Sequence, residues 1–117
     1  MEANIRELKK RIQSENTPVY SATFNFRTKE LDDDFECLND AIDEAAHDSP
    51  GFLGKRWWQD PETNTQSVIY YWESREELQE FSRHPKHQKA KQQYERWYSG
   101  YEIIIAEVLS INVAGDI

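Results

Sequence analysis

SVIYYWESREELQEFSRHPKHQKAKQQYERWYSGYEIIIAEVL, residues 67–109, decides the fold. It begins with a β-prone run, Ser67 to Trp72. Ser74-Arg75-Glu76-Glu77 then fits a capping box, in which a serine hydroxyl and a glutamate satisfy each other's end of a new helix. Leu78 and Phe81 anchor the short helix that follows. His84 precedes proline and favours extended backbone, while Pro85 suits the first position of a second helix. That helix is predicted to run to about Tyr98 and to end at Ser99-Gly100. A last strand, Tyr101 to Leu109, places Ile103 and Ile105 on one face and Ile104, Ala106 and Val108 on the other.

The elements upstream complete the order. Ile5, Leu8 and Ile12 form a narrow apolar stripe over residues 2–15, so this helix leans on the domain without a core of its own. Pro18 stops it. Val19 to Arg27 alternates as a strand, with Tyr20, Ala22, Phe24 and Phe26 on one face and Thr23 and Asn25 on the other. Acids at 32–34 open a helix from about Asp34 to Asp48, and Ser49-Pro50-Gly51 turns the chain. Phe52 to Asp60 and Thr65 to Trp72 form a hairpin around Asp60-Pro61-Glu62-Thr63-Asn64.

Strand, helix, strand, strand, helix pair, strand is the order of an α+β, ferredoxin-like split β-α-β fold with a four-stranded antiparallel sheet. Residues 1–16 form an extra N-terminal helical extension, 17–111 the domain and 112–117 a loose tail. If the helices cover one sheet face, the apolar groups of the last strand stay open on the other. At about 25 cal/mol per Å² that exposure forfeits several kcal/mol, so a second copy is expected to cover the sheet in a homodimer. Adjacent Trp57 and Trp58 point to opposite faces and also call for cover on both.

Composition narrows the function. The 117 residues carry a net charge of −8, with 31% charged and 13% aromatic residues. An acidic chain repels phosphate backbones, which disfavours nucleic acid. Lys86, Lys89 and Lys91 read as a solvated helix face. No apolar run approaches membrane-spanning length. The first residues lack a signal-peptide core. Cys37, the single cysteine, stands beside acids that raise a thiol pKa, so it reads as a small helix residue and not a nucleophile. These features lead us to expect a cytoplasmic protein.

The chemistry-bearing residues are few. His84 and His87 are three apart at a helix start, but no third ligand lies close, so no metal site is expected. His47 reads as a helix-end residue. There is no glycine-rich phosphate loop, nucleotide fingerprint or nucleophile elbow. The aromatic residues from Trp57 to Tyr98 suit a core, an interface or the walls of a cleft for a flat ligand. Asn25 and Thr23 are polar groups within a strand, suited to an oxygenated ligand or to a wet edge.

The chain resembles the antibiotic biosynthesis monooxygenase (ABM) domain family. The resemblance rests on Pro50-Gly51-Phe52-Leu53-Gly54, Tyr71-Trp72-Glu73-Ser74 with Glu76-Glu77, His84-Pro85-Lys86-His87, Glu95-Arg96-Trp97-Tyr98 with Tyr101, and Ala106-Glu107-Val108. These span about residues 19–110 in the family's order and spacing. The resemblance implies a dimeric α+β barrel and cofactor-independent oxygenation of an electron-rich aromatic or quinol, in which the deprotonated substrate itself reduces oxygen. Asn25, His84 and His87 are then candidates for catalysis, and Thr23, Trp72, Phe81 and Trp97 for substrate binding. Relatives also include haem degraders, which use an Asn on the first strand, a Trp on the short helix and a His on the long one. Those positions fall here near Thr23 and on Phe81 and Lys91, so haem is disfavoured. The alternative to an oxygenase is a non-catalytic, stress-related dimer that binds a planar ligand. A deep cleft lined by His or Asn favours an enzyme, and one filled by Trp and Phe favours a binding or structural role.

Overall fold

Backbone pairing in the computed structural model, which describes residues 1–117, realises that order. The elements are α1 (Ile5–Gln13), β1 (Tyr20–Thr28), α2 (Asp33–His47), β2 (Phe52–Asp60), β3 (Thr65–Trp72), α3 (Arg75–Ser82), α4 (Pro85–Gln92), α5 (Tyr94–Trp97) and β4 (Tyr98–Glu107). The strands form one sheet in the order β2-β3-β1-β4, and every neighbouring pair is antiparallel. This is the α+β, ferredoxin-like fold.

Strand alternation sorts the residues. Ala22 pairs with Tyr70 and Ile105, and Phe24 with Val68 and Ile103, so these six share the face that carries α2 to α5. Between that face and the helices lies the main core: Leu38, Ile42 and Ala46 of α2, Leu78 and Phe81 of α3, with Phe52, Trp72 and Trp97. The α2 cap ties two ends of this layer together. Asp32 accepts from the Phe35 amide at 2.9 Å, from Trp97 Nε1 at 3.0 Å and from Arg96 at 2.9 Å. Its carboxyl is held below the usual range, first by the Phe35 amide.

The opposite face is not left wholly open. Helix α1, capped by Asn4, lays Leu8 onto Val19 and Tyr71, and Ile5 and Ile12 pack beside them. Its lead-in runs along the β2 edge, where Ala3 N donates to Lys55 O at 2.8 Å. Gly54 permits that approach. Its φ is +112°, and a Cβ there would stand 2.7 Å from Ala3 Cα. The extension therefore covers one end of the sheet and one of its edges, where the sequence pattern assigned the whole open face to a second copy. The other edge, β4, is uncovered: Ile103, Ile104 and Ile105 are each about half exposed. Trp57 and Trp58 also remain exposed; Trp57 donates to Gln66 at 2.8 Å, and Trp58 carries Arg56 against its ring.

The long final helix is shorter than its periodicity predicts. It breaks at Gln93 into α4 and α5, and Tyr98 already belongs to β4. Tyr98 packs against Phe24, Phe26 and Phe35. Sheet packing of that ring outweighs continued helix, which is the tertiary override of local propensity.

Candidate functional site

A cavity of about 490 Å³ opens between the helix-bearing sheet face and α2 to α4. Its floor is Ala22, Phe24, Val68, Tyr70, Ile103 and Ile105. Helices α3 and α4 supply most of the roof, including Leu78, Phe81 and His87. Its size suits a drug-sized ligand, and its walls are mostly apolar, as such sites are.

His87 is the group in that wall best suited to move a proton. Pro85 starts α4, and His84 caps it: His84 Nδ1 accepts from the Lys86 amide at 3.1 Å. One turn into the helix, His87 Nδ1 lies 3.0 Å from the carbonyl oxygen of Phe81. A carbonyl can only accept, so Nδ1 carries the hydrogen, and in neutral imidazole Nε2 then carries the free lone pair. The Phe81 ring meets the imidazole edge-on at 4.3 Å, which fixes its plane. Burial holds the His87 pKa below its ordinary 6.5; the Phe81 carbonyl opposes the shift, and the charges of Lys91 and His84 add to it. The result is a neutral base at neutral pH, oriented from both sides.

Tyr70 and Tyr98 supply hydroxyls to the same wall. Tyr70 donates to Asp43 at 3.0 Å, and Asp43 also pairs with Lys55 at 2.7 Å. Burial and the Asp43 charge push the Tyr70 pKa up, so its hydroxyl stays protonated. Burial pushes Tyr98 up to about 12. Neither is an acid at neutral pH, and the Tyr70 hydroxyl is fixed by its bond to Asp43. Asn39 and Gln79 add amides, and Arg75 and Lys91 stand at the exposed rim.

The residues singled out from sequence are distributed unevenly. His87 and Phe81 meet in the cavity wall; Thr23 borders the cavity on β1, but alternation with Ala22 and Phe24 turns its side chain to the opposite sheet face. His84 lies outside it, engaged as a helix cap. Asn25 lies on the other sheet face, where it donates to Glu102 at 2.9 Å beside a shallow polar groove. Trp72 and Trp97 are fully buried core residues, 0% and 1% exposed, and neither reaches the cavity. Thr23, Phe81 and Lys91, at or near the positions that the resemblance assigns to the haem degraders' Asn, Trp and His, all border this cavity. No cluster of three metal-ligating side chains is formed.

Comparison with known proteins agrees with the fold. A family model described as monooxygenase af470-like matches residues 20–105. Among solved structures, a point variant of SnoaB, a cofactor-independent oxygenase from Streptomyces nogalater, superposes with a TM-score of 0.63 at 11% identity, covering 75% of this chain and 90% of that one. A candidate antibiotic biosynthesis monooxygenase from Chloroflexus aurantiacus J-10-fl gives 0.55 at 19% identity, covering 83% and 97%. A conserved protein from Methanosarcina mazei Go1 gives 0.65 at 13%, covering 84% and 98%. No curated protein matches the sequence significantly. No helix is long and apolar enough to cross a membrane.

Proposed function

The chain belongs to the monooxygenase af470-like family, and from that premise we propose a cofactor-independent monooxygenase that oxidises an aromatic or quinol small molecule in the cavity beneath α3 and α4. The observation that carries this reading is His87: half-buried, neutral, held through Nδ1, with Nε2 free in a mostly apolar wall. Nε2 takes the proton of a substrate hydroxyl. The phenolate passes one electron to dioxygen, the resulting radical pair combines to form a carbon–oxygen bond, and the imidazolium returns its proton to the peroxide so formed. Loss of water from that hydroperoxide leaves a quinone. For a phenol the balance is ArOH + O₂ → quinone + H₂O, with one oxygen atom in the product and one in water. The substrate is the reductant and O₂ the oxidant. The apolar walls keep the phenolate out of water, and Tyr98, whose hydroxyl stays protonated, can donate to it.

The working unit on this reading is a homodimer. Edge strand β4 presents half-exposed isoleucines to both sides. Two of them, Ile103 and Ile105, line the cavity, so a partner against β4 closes the site to water as well as covering the edge.

Oxygen uptake with dithranol, an anthrone, tests the function. Turnover without added cofactor is expected, and His87→Ala is expected to lower kcat by about 10² to 10⁴-fold, the usual contribution of a positioned base. No uptake across anthrones, naphthols and hydroquinones refutes the oxygenase; saturable binding without turnover assigns a planar-ligand binder instead. A Soret shift with hemin followed by loss of the band in ascorbate and air assigns haem degradation.

A further inference from the structure

The charges around the cavity run against the charge of the chain. The protein carries −8 overall, yet no Asp or Glu is among the 21 residues that line the cavity. Its charged lining groups are Arg75, the first residue of α3, and Lys91, in the last turn of α4. Of the 14 lysines and arginines, only Arg11, Lys55 and Arg96 are matched by carboxylates, so what marks the cavity is the lack of any acid in its lining. The Arg75 and Lys91 side chains take part in none of these ion pairs and in none of the side-chain hydrogen bonds. Both are exposed at the rim of an aromatic-walled, mostly apolar space.

We propose that the ligand of this cavity is an aromatic anion, a ring system bearing a carboxylate, and that Arg75 and Lys91 receive that carboxylate while the ring enters the apolar interior. The proposal rests on the cavity being the substrate site, as argued above. An acidic protein repels anions at a distance, so two unmatched cations over low-dielectric walls create the local field that admits one. The rim is also the right depth. A carboxylate there keeps part of its hydration and avoids the large cost of burying a charge, while the ring gains from burial. Lys91 lies four residues after His87 on α4, hence on the same helix face. It is close enough for its charge to act on the imidazole. A carboxylate paired with Lys91 therefore brings the neighbouring ring atoms towards the base.

Two ligands that differ only in the anion test this. Protein fluorescence is titrated without oxygen with 1,4-dihydroxy-2-naphthoate and with 1,4-dihydroxynaphthalene. The carboxylate is expected to bind tighter by about tenfold or more, as charge-assisted pairing implies. The preference should shrink in about 0.5 M NaCl, where screening reaches only a few ångströms. In Arg75→Gln/Lys91→Gln the ratio of the two affinities should fall towards one. Equal affinity in the wild type, a ratio unchanged in the double variant, or no binding of either compound overturns the proposal. The salt titration uses unmodified protein, so a folding defect in the variant does not shield the proposal. Admitting air separates the two readings. A carboxylate preference without oxygen uptake supports the anion and counts against the oxygenase; uptake without a preference supports the oxygenase and overturns the anion.

Discussion

Replacing Trp72 by phenylalanine should be much cheaper than its burial suggests. Trp72 is 0% exposed and packs between Phe52 at 5.2 Å and Phe81 at 4.9 Å. Deleting such a ring to alanine costs about 3–5 kcal/mol, a large share of the roughly 5–15 kcal/mol of a domain this size. Phenylalanine keeps both ring contacts and loses about 40 Å² of buried apolar surface, or about 1 kcal/mol. It also removes a liability. The indole Nε1 is buried with no protein acceptor, and an unmet donor costs about 1–3 kcal/mol. The two terms oppose, so Trp72→Phe should fall within about 1 kcal/mol of wild type while Trp72→Ala loses several. Urea titrations followed by circular dichroism, free of the tryptophan signal that is being removed, give both midpoints at constant m. A Trp72→Phe cost near that of Trp72→Ala would refute the reasoning, because the N–H would then be contributing a bond.

Three more expectations follow from other parts of the molecule. A Cβ at Gly51 would overlap the Glu77 carboxylate, so Gly51→Ala should destabilise by about 1 kcal/mol and become nearly neutral in a Glu77→Ala background, a coupling read from a double-mutant cycle; additive costs contradict the contact. Ile104 is half exposed on the sheet face opposite the cavity, so Ile104→Lys should weaken self-association by about 10-fold or more in light scattering; an unchanged dimer, or wild type that is monomeric at micromolar concentration, contradicts the interface. The His87 pKa is lowered from 6.5 on folding, so the acid limb of kcat/KM should be centred below pH 6.5. The same shift means that the unfolded chain binds the proton first as pH falls. The stability this group contributes is thus full above pH 6.5 and lost as pH falls through the folded pKa; an acid limb centred above 6.5 contradicts the assignment.

Much of this fold was legible because its signals are local. The Asp60–Asn64 loop and the alternation on either side place β2 and β3 to the residue, and the Ser74 cap and Pro85 mark α3 and α4. The break at Gln93 was not legible, because no proline or glycine stands there and the cause is a distant one, Tyr98 seated on β1 aromatics. The seat of α1 was equally hidden, since Ile5, Leu8 and Ile12 show that a face is apolar but not what it meets. The site divides the same way. His87 could be singled out from its place at a helix start, and Phe81 from the position that the family resemblance gives it. Trp72 and Trp97 looked like cavity walls because a buried ring and a ligand-facing ring share one sequence signal. Lys91 looked like a solvated helix face, and Arg75 like an ordinary helix start. Sixteen positions apart on two helices, they come to the rim of one cavity only when α3 and α4 fold over the sheet.

The central claim is that this cavity uses dioxygen without a bound cofactor, with the substrate as its own reductant. Turnover of dithranol under ¹⁸O₂ in the presence of a chelator tests it most directly. The account predicts one O₂ consumed per substrate, one labelled atom in the product and one in water, and loss of the reaction in His87→Ala. Unlabelled product, or turnover only when a flavin, nicotinamide or metal is supplied, would contradict it.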